Sequence, residues 1–148
     1  MECRLYVAKS ALIGTPRFFP KLHHAVVIEV QRPTSVSLQL FDVIPENPTS
    51  LETVVSMIRG ESVPATPRCK QVSKTHLSTT HVFDCVVDSL GDGDTVLEAA
   101  RMFQEEYFAG PDGPRMGLYR NNCVDFTNML VEHVITVLEN AHSEWLDG

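Results

Sequence analysis

Two β runs only five residues apart constrain this chain more than any other feature. "HHAVVIEV" at 23–30 is nearly all apolar beyond its two histidines, as a central strand buried on both faces should be. "VSLQLFDVI" at 36–44 follows the turn sequence "QRPTS". In the second run Val36, Leu38 and Leu40 fall on one face, Ser37 and Gln39 on the other. The pair predicts a β-hairpin of adjacent antiparallel strands.

Other elements arrange themselves around that hairpin. "CRLYVAKS" alternates at Leu5 and Val7 and predicts an opening strand. "ALIGTPRFFPKL" carries Gly14, Pro16 and Pro20 and predicts a loop anchored by Phe18 and Phe19. Pro45 and Pro48 end the hairpin, and "SLETVVSMIRG" predicts a short helix capped by Ser50 and closed by Gly60. "ESVPATPRCKQ", with two prolines, reads as a loop leading to a strand within "KQVSKTHLS". "TTHVFDCVVDSL" fits a helix by the spacing of Val82, Cys85, Val86 and Leu90, and a strand by its β-branched content. "TVLEAARMFQEEYFAG" predicts a helix with a Thr95–Glu98 capping box and Gly110 at its end. "PDGPRMG" is a loop. In "DSLGDGDTVLE" a turn and a helix cap explain the carboxylates better than a calcium loop, because the glycine spacing is wrong.

The last helix, from about Asn122 to Asn140, shows the strongest helical period. Phe126, Leu130, Val134 and Leu138 recur every four residues, widened by Val131 and Val137. Cys123 stands at its N-terminal end behind the polar pair Asn121–Asn122, which suits a cap. The positive end of the helix dipole favours thiolate over thiol there. Strands come early and helices late, so the expected class is α+β: a small antiparallel sheet packed against helices.

The 148 residues suit one domain spanning 1–148, large enough to bury roughly 70% of its unfolded surface. With 43% hydrophobic and 21% charged residues, the chain is globular rather than disordered. A net charge of -7 argues against a nucleic-acid partner. The opening "MECRLYVAKS" shows no secretory signal, and no apolar run reaches the ~18 residues of a membrane span. Cys3, Cys69, Cys85 and Cys123 form no CxxC pair, so free thiols in a reducing compartment are expected, cytoplasmic or nuclear. No short Cys/His ligand pair exists, so neither a metal nor another cofactor is expected.

A thiolate nucleophile needs an imidazole beside it. Of the six histidines, His23 and His24 open the most apolar strand, where an imidazole is costly without a partner. Their side chains leave opposite faces of that strand, so one ring alone reaches the thiol, and either could be the base. His133 lies ten residues along the same helix, roughly 15 Å from Cys123, and is read as surface polarity. Gln39 and Asp42, on the following strand, are candidates to orient the ring. Asn122 fits a helix cap, an imidazole-orienting group or a substrate contact; Thr127 and Asn128 fit backbone hydrogen bonding.

The block "YRNNCVDFTNML" closely resembles the N-C-x-x-F-[ST]-N signature of the PPPDE group of thiol peptidases, which includes the deSUMOylating isopeptidases. Asn122, Cys123, Phe126, Thr127 and Asn128 carry the match, with Leu118 upstream. "LHHAVVI" is similar to that family's histidine strand, and "CRLYVAKS" to its opening strand. Val124 and the length of the hairpin depart from the family's usual pattern. The resemblance implies a circularly permuted papain-like fold, histidine before cysteine in the chain. It also implies Cys123 as nucleophile and His23 as general base in a dyad that needs no third acid; Asn122 is a separate candidate for substrate or oxyanion contact. The implied substrate is a protein conjugated to a ubiquitin-like modifier through an isopeptide bond, or an acylated protein cleaved at a thioester. A catalytically idle binding module, or a subunit of a larger assembly, is the alternative; a homodimer across the hairpin edge is compatible with either.

Overall fold

The computed structural model describes residues 2–10, 23–75, 82–87, 92–117 and 122–147. Among them are six strands and three helices: β1 (Glu2–Ser10), β2 (His23–Gln31), β3 (Val36–Pro45), α1 (Leu51–Ile58), β4 (Val63–Val72), β5 (Val82–Val87), α2 (Gly93–Tyr107), β6 (Arg115–Met116) and α3 (Cys123–Asp147). The strands form one antiparallel sheet in the order β5-β1-β2-β3-β4-β6. The α+β class and the hairpin are therefore as expected. The predicted loop at 11–22, with Phe18 and Phe19, lies outside the described residues, as do Leu118, Asn121, His76 and His81.

The hairpin sits in the middle of the sheet, with β1 on one side and β4 on the other. It therefore has no open edge for a second copy. Central placement explains its composition: Ala25 to Val30 are all buried, and alternate residues serve opposite faces. Val26, Ile28, Val30, Phe41 and Val43 join the main core with residues of α2 and α3, while Ala25, Val27, Leu38 and Leu40 form a second cluster with Ala8.

α3 packs its stripe onto β2 as its period predicts. Phe126, Leu130 and Val134 are fully buried, each stabilising the fold by roughly 1.5–3 kcal/mol. α2 lies beside it, and Phe103, Tyr107 and Phe108 group around Phe126. The start of α2 comes so close to β2 that a Cβ on Gly93 would sit 2.6 Å from Val30 Cγ1. His133 is no mere surface polar group: its half-buried ring stacks on Phe103 at 4.8 Å.

Several local expectations change. Val63–Val72 is a strand, not a loop, despite Pro64 and Pro67. It pairs with β3 along most of its length but with β6 only at Val63 and Pro64, and such an edge tolerates residues that lack an N–H. Val82–Val87 resolves as strand β5, so β-branched content outweighed helical spacing. The cap of α2 is Asp92, whose carboxylate accepts from the Thr95 N–H and hydroxyl; Glu98 pairs instead with Arg101. The helix ends at Tyr107, and Gly110 lies in the turn beyond it. α1 forms where expected, closed by Gly60 at φ 85°, but Ser50 makes no side-chain cap. None of its residues is buried, and Leu51, Val54, Val55 and Ile58 face solvent.

Candidate active site

Cys123 is the first residue of α3, and the helix start that places it is capped as its sequence predicts. Asn122 Oδ1 accepts the Asp125 N–H at 2.9 Å, and its carbonyl accepts from Phe126. That oxygen of Asn122 thus serves the cap. Cys123 is only 5% exposed, with its sulfur against the first residues of strand β2.

Both opening histidines of β2 meet this sulfur, in different ways. The Cys123 side chain acts on the His23 imidazole by hydrogen bonding and by charge, both favouring its protonated form. His24 reaches it by the main chain, its N–H donating to Sγ at 3.5 Å. The expectation that only one of the two could approach the thiol took account of the side chains alone; the His24 backbone N–H approaches it as well. The charges acting on the His24 ring are those of Lys9, His23 and Asp84; burial and the two cations hold it below the ordinary histidine value.

A third group completes the arrangement. His23 Nε2 lies 2.9 Å from Asp42 Oδ2, and Asp42 is 1% exposed. An ionised Asp42 accepts a hydrogen bond from the Nε2–H of His23. Burial alone would pull the His23 pKa down. The Asp42 and Cys123 hydrogen bonds, with the negative charge on both partners, more than offset it and raise the value to about 9. Burial would likewise push Asp42 up, but the hydrogen bonds and positive charges of His23 and Arg68 hold it below the usual carboxylate range.

Asp42 is held from its far side as well. Arg68 Nε donates to Oδ1 at 2.7 Å, and Arg68 Nη2 donates to Oδ2. Asp42 and Arg68 are direct partners in the β3–β4 ladder. From α2, Gln104 Nε2 donates to both of their carbonyls, at 3.2 and 2.9 Å.

The structure thus brings together Cys123, His23, the His24 amide and Asp42, with Asn122 alongside as a cap. Gln39, the other residue considered for orienting the ring, donates instead to Cys69. Thr127 is fully buried one turn along α3, and its hydroxyl has no hydrogen-bond partner among the described residues. Arg68 and Gln104 went unnoticed in the sequence, Arg68 because its strand read as a loop. No disulfide links the four cysteines. Among the described residues no helix is long and apolar enough to cross a membrane. No family model, curated protein or solved structure matches the chain.

Proposed function

We propose that this protein is a thiol hydrolase in which Cys123 is the nucleophile, His23 the proton carrier and Asp42 the group that orients His23. One observation carries the reading: a buried carboxylate holds the His23 imidazole at 2.9 Å, and the next residue's N–H donates to Cys123 Sγ at a helix start. A purely structural thiol has no need of such an arrangement. The cysteine block resembling the PPPDE signature supports it too, and with it a circularly permuted papain-like fold in which the histidine strand precedes the cysteine helix.

The chemistry follows from these groups. The Cys123 thiolate attacks the carbonyl carbon of an isopeptide or thioester, forming a C–S bond and a tetrahedral oxyanion. Backbone N–H groups at the start of α3 stabilise that oxyanion. The His23 imidazolium donates its proton to the departing amine or thiolate as the intermediate collapses to an acyl-enzyme. His23, now neutral, takes a proton from water as that water attacks, and the acid product leaves with the thiolate restored. The substrates are proteins carrying a ubiquitin-like modifier or a thioester-linked acyl group. A reducing compartment, cytoplasm or nucleus, goes with a nucleophile that oxidation would consume.

A second reading, a catalytically idle binding module, is favoured by the 5% exposure of Cys123, which leaves little room for a carbonyl. One experiment separates the two. The protein is incubated with ubiquitin-like fusions bearing a fluorogenic C-terminal amide and with acyl-thioester peptides, beside its Cys123→Ala variant. Turnover by the wild type that vanishes in the variant supports the hydrolase. Equal background rates on every substrate favour the binding module.

A further inference from the structure

We infer that Arg68 tunes His23 through Asp42: its guanidinium, forked onto both carboxylate oxygens, draws on the charge that holds the imidazole proton and so eases that proton's release. The inference rests on the proposed hydrolase reading and adds a fourth member to its site.

Asp42 has two oxygens and three donated hydrogen bonds from charged or chargeable groups. Arg68 takes Oδ1 through Nε and shares Oδ2, through Nη2, with His23 Nε2. A guanidinium matches a carboxylate as a planar fork, so the carboxylate plane is set by Arg68 before the imidazole meets it. Cross-strand pairing of residues 42 and 68 puts the fork opposite its target, and Gln104 ties the two backbones together at that point. The ring's hydrogen-bonding direction is therefore inherited in part from β4.

The charge of Arg68 has a second consequence. A buried carboxylate facing only an imidazole would hold the ring's proton tightly. His23 must release that proton to a leaving group, and Arg68 competes for the same negative charge. Among the described residues, the charged and titratable groups around Asp42 and His23 are Arg68 from β4, Cys123 from α3 and the neighbouring His24 ring on β2; Gln104 from α2 is neutral. Removing the Arg68 cation raises the proton affinity of both Asp42 and His23, so the whole working pH range moves upward. A residue that only fixed Asp42 in place would give the opposite sign: a loosened Asp42 would let His23 fall back toward ~6.5.

The test is the His23 ring titration, followed by NMR in the wild type and in Arg68→Met and Arg68→Lys. The expected result is an upward displacement of about half a unit or more in Arg68→Met, with Arg68→Lys close to wild type because it keeps the cation. Should Arg68→Met fail to fold, Arg68→Lys decides: a position near wild type agrees, and a fall toward the ordinary histidine value overturns the inference. An unchanged or lowered His23 in folded Arg68→Met also overturns it. Loss of turnover in Cys123→Ala is scored separately. A hydrolase whose His23 ignores Arg68 refutes this inference alone, whereas a shifted His23 in a protein without turnover refutes the hydrolase reading.

Discussion

The imidazole of His23 and the carboxylate of Asp42 lie diagonally across the β2–β3 hairpin, joined at 2.9 Å. The pairing of Val26 with Phe41 and Val27 with Leu40 puts Asp42 beside Ala25, two positions along from the residue opposite His23. Diagonal neighbours on one sheet face are within reach of long side chains. The hairpin thereby supplies both the imidazole and the carboxylate that holds it.

Replacing Asp42 by Asn should cost much of the activity. The Asn carbonyl can accept from His23 or from Arg68, but its NH2 then confronts a donor on the other side. Proton transfer loses its oriented ring, and kcat/KM near neutral pH is expected to fall on the order of 10²-fold or more. Steady-state kinetics on the fluorogenic substrate measure the loss, and an unimpaired Asn variant would leave Asp42 without a catalytic part.

Stability should depend on pH through the same pair. His23 rises from an ordinary ~6.5 when unfolded to about 9 when folded. Its contribution is therefore complete below about 6.5 and disappears as pH climbs through about 9, a difference on the order of 3 kcal/mol. Asp42 is depressed on folding, so its contribution is present above ~3.9 and drains away in stronger acid. Urea unfolding at pH 6.5 and pH 9.5 should show a lower midpoint at the higher pH in the wild type. In His23→Gln that difference should shrink; an equal drop in both proteins would assign it to other groups.

How much of this was legible is itself a physical matter. β2, β3 and α3 were readable because their apolar periods are long and nearly unbroken, and Cys123 followed from the end of α3. Asp42 was within reach of hairpin register, which counts pairs without needing coordinates. β4 was hidden because Pro64 and Pro67 are strong breakers locally, and only the sheet's order reveals that Pro67 sits beyond the short stretch where β4 meets β6, while Pro64 pairs with Arg115. Arg68 went with it. The Asp92 cap was masked by Thr95–Glu98, an equally good capping pattern three residues on.

The seat of α2 gives a prediction independent of catalysis. A methyl group at residue 93 would collide with both branches of Val30, at 2.6 and 2.8 Å from the new Cβ. Val30 is fully buried and branched at Cβ, so it cannot swing away. Gly93→Ala should destabilise the fold by about 1–3 kcal/mol, despite the better helix propensity of alanine. Chemical denaturation checks it, and a stabilised variant would show that α2 stands further from β2.

The central claim is that the sulfur and the ring are electrostatic partners. NMR titration of the His23 imidazole in the wild type and in Cys123→Ala tests it most directly. The wild-type ring should titrate near 9 and fall measurably once the sulfur is gone. A His23 that titrates at the same pH in both proteins would contradict the account.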